Sequence, residues 1–185
     1  PVSFSSFAER HSAWWFCAGW HEMYNPGKRG QETADDVMPY ALDWIDRNAA
    51  DRDNWLLHVN LWDPHTPYKV PDEEGNPFAD DPPPDWMTEE IRQATWDTYG
   101  PGCAREPGGA YTKDGAYAKY PRMPRQVDSM DAYEQWIDGY DCGIRYADRH
   151  VGAVLDKLES LEVLDDTMVI VSSDHGENLG ELAVY

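Results

Sequence analysis

The sequence predicts an α/β fold with a core of parallel strands. Three observations carry that expectation. Short apolar runs at 55–62 and 168–172 read as strands buried on both faces. Between them, apolar residues recur at 3–4 spacing over 131–161, the mark of an amphipathic helix. The order helix, strand, excursion, helix, strand contains a strand–crossover–strand unit, which is right-handed and keeps its strands parallel.

The elements follow in chain order. Residues 1–32 mix Trp14, Trp15, Phe16 and Trp20 with Asn25-Pro26-Gly27 and read as irregular structure, the aromatic cluster serving as core. A helix is expected from Asp35 or Asp36, either of which can cap it, with Pro39 in its first turn. Met38, Ala41, Leu42, Ile45 and Ala49 form its buried face. The strand at 55–62 stops at Asp63-Pro64. Residues 71–126 read as a loop-rich excursion broken by Pro82-Pro83-Pro84 and Gly108-Gly109, with a short helix at 88–98 capped by Thr88. The long helix takes Ser129 as its cap, and Asp148 falls on its apolar side. An inward Asp requires a partner. The second strand, Met-Val-Ile-Val-Ser at 168–172, ends in Ser173-Asp174-His175-Gly176-Glu177.

Composition narrows the functions. The 185 residues carry 35 acidic and 15 basic side chains, a net charge of -20. That field repels polyanions, so nucleic acid is not an expected partner. No apolar run approaches the ~18–20 residues of a membrane span, so no membrane partner is expected either. Cys17, Cys103 and Cys142 are far apart and form no C-x-x-C pair, which argues against a zinc site.

The chemistry is expected at the ends of the two strands. Parallel strands put their C-terminal ends on one sheet edge, where ligand sites of open α/β sheets form. After the first strand comes Asp63-Pro64-His65-Thr66-Pro67-Tyr68-Lys69. Pro64 and Pro67 stiffen the backbone around His65, as a positioned acid or anion-binding group requires. Lys69 adds positive charge for an anionic substrate. The alternative is a plain Pro-rich turn with an exposed His. After the second strand, Asp174 and His175 can both ligate a divalent metal, with Gly176 allowing a sharp turn. The alternative is that Asp174 caps a following helix and His175 is a polar turn residue. His58 lies inside a strand and reads as a satisfied core histidine. His150 falls on the polar side of the long helix and reads as solvated. His11 and His21 have no identifiable partner.

At these residues the chain resembles the sulfatases, members of the alkaline phosphatase superfamily. The resemblance rests on Phe7-Ala8-Glu9-Arg10-His11 and on 55–68 with its Asp-Pro-His-Thr-Pro-Tyr loop. It rests also on the Tyr140, Tyr146, Asp148, Val151, Gly152 pattern and on 167–177 ending in Ser-Ser-Asp-His-Gly-Glu. It implies a partial alkaline-phosphatase-like sandwich, with residues 1–185 an interior part of a single catalytic domain. It implies hydrolysis of sulfate esters through a hydrated formylglycine, made from the Cys or Ser of a Cys/Ser-x-Pro/Ala-x-Arg segment. It further implies a divalent metal, commonly calcium, with Asp174 and His175 as one pair of ligands and His65 contacting the sulfate group.

Departures from the family pattern shape the remaining expectations. Neither Cys17 nor Cys103 has Pro two residues on and Arg four residues on, and the chain is read as lacking the nucleophile segment. The family's first pair of metal-binding aspartates and its later lysine have no match. The 185 residues are therefore expected to turn over no substrate by themselves. They are also expected to self-associate through open strand edges, or else to be partly disordered. Substrates for the whole enzyme would be sulfated carbohydrates or aryl sulfates, with 71–126 lining the cleft. Two rival readings stand beside this one: a phosphonate monoester hydrolase or phosphodiesterase of the same superfamily, and a non-catalytic acidic binding domain.

Overall fold

Three strands of three residues each form a parallel sheet in the order β2-β1-β3: β1 (Val2–Phe4), β2 (Glu22–Tyr24) and β3 (Leu57–Val59). The computed structural model describes residues 1–28, 31–98, 103–107 and 121–180. The chain divides into two compact units, one of residues 1–62 and 146–171, the other of 63–145 and 172–185.

The first unit holds the sheet. Val2 pairs with Glu22 on one side and Leu57 on the other, and Phe4 with Tyr24 and Val59. β1 is thus the centre of the sheet and buried at every residue. Strand alternation sends Val2 and Phe4 into a core with Val37, Ala41, Trp44, Ile45, Ala49 and Leu158. Ser3 is also buried, and its Oγ lies 3.0 Å from His58 Nδ1. The rings of Phe16 and Trp20 flank the same imidazole. His58 is therefore partnered inside the fold, and burial pushes its pKa below the ordinary value.

Helix α1 (Phe7–Arg10) follows β1, and α2 (Ala34–Asn48) packs on the sheet. α2 is capped at Thr33 rather than at Asp35 or Asp36, and the Asp36 carboxylate reaches back to accept from Thr33 N at 3.1 Å. This places Pro39 as the sixth helical residue, beyond the first turn.

Two strand expectations change. The run at 55–62 contributes only Leu57–Val59, half-buried, because it forms an edge of the sheet among the described residues. Residues 168–172 join no strand ladder. Met168 is 86% exposed and Ile170 78%. A strand buried on both faces needs neighbours to cover it, and the described residues supply none at this run. The central strand β1 lies in the stretch read as irregular. Three residues are too short to show a period.

The second unit is helical and loop-built. α3 (Glu89–Trp96) is capped as expected, with Thr88 Oγ1 accepting from Ile91 N at 3.3 Å. The excursion is more than surface loop: Met87, Ala104 and Met123 join Tyr68, Val127, Tyr133, Trp136, Ile137 and Leu179 in one buried cluster. Arg122 clips it together by donating to the carbonyls of Val70, Pro71 and Gly75. Gly108-Gly109 lies outside the described residues.

The long helix α4 (Met130–Ser160) runs as predicted, with Ser129 Oγ accepting from Ala132 N at 3.2 Å. Its residues to 145 belong to the second unit and those from 146 to the first. Two glycines one turn apart let it approach backbone closely. A Cβ on Gly139 would lie 2.5 Å from Arg122 O and 2.8 Å from Tyr68. On Gly143 it would lie 2.8 Å from both Asp63 O and Pro64 Cα. Gly152 has open space around it.

This contrast sets a prediction. Gly143→Ala is expected to destabilise the chain by about 1–3 kcal/mol, because the methyl group meets backbone that cannot swing away. Gly152→Ala, with the same helix-propensity gain and no clash, is expected to stabilise by about 0.5–1 kcal/mol. Urea unfolding of the two variants beside the parent sequence checks both signs.

His58 sets a second. Its lowered pKa means the folded state takes up a proton less readily than the unfolded chain. The associated stability is present above pH ~6.5, the ordinary histidine value, and is lost as pH falls through the folded-state pKa. Unfolding midpoints measured from pH 8 to 5 should fall more steeply for the wild type than for His58→Phe.

Candidate active site

All of the candidate site lies within the second unit, where the 63–69 loop meets the 172–180 segment. Asp63 is buried, and the backbone at 63–64 lies against α4 at Gly143. The loop then turns through His65, a cis Thr66–Pro67 peptide, and Tyr68 at φ 55°. His65 Nδ1 lies 2.7 Å from Thr66 O. A carbonyl only accepts, so Nδ1 carries the proton and Nε2 holds the lone pair of the neutral ring.

The second segment is built the same way. His175 Nδ1 lies 2.9 Å from Gly176 O, which again assigns the proton to Nδ1. Its Nε2 faces Asp174 Oδ2 at 3.8 Å, and His175 N donates to Asp174 Oδ1 at 3.1 Å. The Asp174 and His175 side chains are 82% and 60% exposed, so both can be reached by a ligand. Asp174 caps no helix, because the described residues after it form none. Gly176 is not at positive φ, so its conformational freedom is not what turns the chain.

Glu177 joins the two segments. Its Oε1 accepts from Thr66 N at 2.9 Å and its Oε2 from the Tyr68 hydroxyl at 2.5 Å. The rings of His65 and His175 stand 6.1 Å apart, edge to face. Burial pushes the Glu177 carboxyl above its ordinary range, against the two hydrogen bonds that favour its charge. Burial, and then the negative charge of Glu177, push the Tyr68 hydroxyl well above its ordinary value. Leu179 lies in the buried cluster, and the Tyr133 hydroxyl donates to its carbonyl at 2.6 Å.

The predicted residues divide accordingly. His65 and the Asp174–His175 pair come together, although the strand meant to deliver the pair is not formed. Lys69 follows in the same loop, half-buried. Glu177 and Tyr68, 109 residues apart, carry no shared role that sequence reasoning finds. Tyr68 after Pro67 and the closing Glu of Ser-Ser-Asp-His-Gly-Glu are the signals that mark them.

Asp148 does not point inward: it is exposed, because α4 turns Tyr146 inward and leaves Ile144 44% exposed. His150 is not solvated. Its side chain is 12% exposed, its ring packs on Tyr146 and its Nε2 lies 3.4 Å from Asp35. His11 stacks with Phe7 and Trp62. Trp14 and Trp15 are 63% and 74% exposed, so the aromatic opening is not wholly core.

Asp174 and His175 suit a divalent cation. A carboxylate oxygen and an imidazole lone pair 3.8 Å apart can share one ion at bond lengths of roughly 2.0–2.4 Å. Among the described residues no group of three or more His, Cys, Asp or Glu side chains converges, so the pair stands without a further such ligand beside it.

One segment does match the nucleophile pattern: Ser6-Phe7-Ala8-Glu9-Arg10. It heads α1, but Ser6 is 1% exposed and its Oγ is buried without a hydrogen-bond partner. A hydroxyl enclosed in this way does not face a substrate.

The parallel sheet and its helices are part of an alkaline-phosphatase-like α/β fold. The family is narrower than the fold. The profile of the sulfatase family, described simply as Sulfatase, matches residues 3–185, and the chain belongs to that family. A choline-sulfatase from Rhizobium meliloti (strain 1021) is 28% identical over 138 residues, which cover 71% of this chain and 23% of that protein. The chain therefore spans about a quarter of the length of the curated relative it matches. No solved structure matches it.

The anchoring of the 172–180 segment yields a third prediction. Tyr133→Phe removes the buried donor to Leu179 O and is expected to cost about 1–3 kcal/mol. Amide exchange should quicken around residues 176–180 while α3 keeps its protection.

Proposed function

We propose that the chain carries part of the active site of an enzyme that hydrolyses sulfate esters in a metal-dependent reaction. The observation that supports this most is the pairing of His65 with the Asp174–His175 turn at a ring separation of 6.1 Å, in a chain of the sulfatase family.

The roles follow from chemistry. Asp174 and His175 would hold a divalent cation, calcium being the proposed ion, which when bound acts as a Lewis acid and clamp on the anionic group. The Nδ1–H of His65 donates to Thr66 O, so the ring donates to a sulfate oxygen through Nε2 only as the imidazolium. In that form it adds both a hydrogen bond and a positive charge. Lys69 adds a second positive charge from the same loop. The proposed substrates are sulfated carbohydrates or aryl sulfates. The nucleophile is proposed to come from outside these 185 residues, since Cys17 and Cys103 lack the required neighbours and Ser6 is enclosed.

The test uses the whole protein that contains this chain, coexpressed with a formylglycine-generating enzyme and assayed on 4-nitrophenyl sulfate with and without calcium. Turnover that needs calcium is expected. His65→Ala is expected to lower kcat/KM by about 10²-fold or more, as loss of a positioned charge stabiliser does. Asp174→Ala should raise the calcium concentration needed for half-maximal rate. Cleavage of a phosphodiester or phosphonate in place of the sulfate ester would overturn the reading.

A further inference from the structure

The bridge made by Glu177 has a function of its own, which rests on the sulfate-ester reading of the site. We infer that Glu177 is the positioning residue of this site: its carboxylate clasps the His65 loop to the Asp174–His175 turn and so sets the distance between the anion-contacting and the cation-holding side chains.

The geometry supports this in three ways. First, each oxygen has a different donor. Oε1 takes the amide of Thr66, the residue next to His65, and Oε2 takes the hydroxyl of Tyr68. Glu177 itself is two residues from His175, so one carboxylate ties both imidazole-bearing segments. Second, both ends of the clasp are held by packing. Tyr68 is 1% exposed in the buried cluster, against α4 where Gly139 leaves room for its ring. Leu179, two residues beyond Glu177, is buried in the same cluster and held by the Tyr133 hydroxyl. Third, the carboxylate spends both oxygens on protein donors and is half-buried. It is thus placed to orient His65 rather than to act on substrate.

The identity of the residue matters for the same reason. Two donors point at one group, and a carboxylate accepts on both oxygens. A glutamine keeps Oε1 for Thr66 N, and its amide nitrogen can donate to Tyr68, whose hydroxyl turns to accept. An aspartate is one methylene shorter and cannot reach both donors. Alanine reaches neither. The clasp therefore predicts that glutamine rescues and aspartate does not, the reverse of what a requirement for charge would give.

The experiment has two arms. In the whole protein, Glu177→Ala and Glu177→Asp are expected to lower kcat on 4-nitrophenyl sulfate by about 10–100-fold. KM should change little, because a misplaced imidazole still collects the anion but no longer aligns it. Glu177→Gln should lose well under tenfold. In the 185-residue chain, NMR should show a ring-to-ring NOE between His65 and His175 and slow exchange of the Thr66 amide. Both should be lost in Glu177→Ala and Glu177→Asp and kept in Glu177→Gln.

If Glu177→Ala does not fold, Tyr68→Phe removes one of the two bonds and should give an intermediate loss in both arms. An active wild type whose Glu177→Ala variant matches it in kcat overturns the inference. So does a folded Glu177→Gln variant as impaired as Glu177→Ala. A wild type inactive on sulfate esters overturns the proposed function instead. The NMR arm then decides the clasp: unchanged ring proximity in Glu177→Ala overturns it, and loss of that proximity supports it.

Discussion

The backbone at Asp63 and Pro64 runs so near α4 that position 143 has room for no side chain. Much of the second unit depends on this approach. A Cβ there would come within 2.8 Å of that backbone, so helix or loop would have to shift, and the loop carries His65. Gly139 does the same service one turn earlier, where the Tyr68 ring and the Arg122 carbonyl crowd the helix. Interiors are close-packed and transmit strain, so a displacement at either glycine would reach the site. The Tyr68 hydroxyl can meet Glu177 because its ring is pressed between helix and loop.

The clasp at Glu177 shows how opposing electrostatic effects are arranged. Taking a carboxylate out of water costs free energy, and that cost raises its pKa. Hydrogen bonds to a charged acceptor return about 1.5–3 kcal/mol each, and here there are two. The Tyr68 hydroxyl is held in its protonated form by burial and by the carboxylate beside it, so it remains a donor. A group with both oxygens committed in this way is suited to hold geometry. The exposed Asp174 is suited instead to exchange water for an ion.

The charge of the whole chain sets a further condition. At -20 it repels the anionic esters proposed as its substrates. Local positive charge must therefore outweigh the general field at the site. His65 as imidazolium, Lys69 and a cation between Asp174 and His175 would supply it, since Coulomb interactions are strongest at short range. Much of the acid lies elsewhere, in the stretch from Asp72 to Glu90 and along α4, where water and salt screen it.

Signals of local origin were legible in the residues themselves. The 3–4 spacing placed α4 to within a residue at each end, and Ser129 and Thr88 marked their caps. The α/β class, a parallel sheet and the two histidine-bearing segments were legible in the same way, but the partner of β3 was not. Signals that depend on partners were not. β1 is three residues long and owes its burial to neighbours 20 and 55 positions away. The 168–172 run has the apolar composition of a buried strand, yet it is exposed because no described residue covers it. Asp148 and His150 changed places as exposed and enclosed, because the contacts made by α4 decide which way it is turned. By itself, then, the sequence determined the helices with clear spacing and caps and the candidates for the chemistry, since propensity, capping and motif are properties of short stretches. Only the tertiary structure decided that Glu177 would bind Thr66 and Tyr68, because that contact joins residues more than a hundred apart through the packing of one helix.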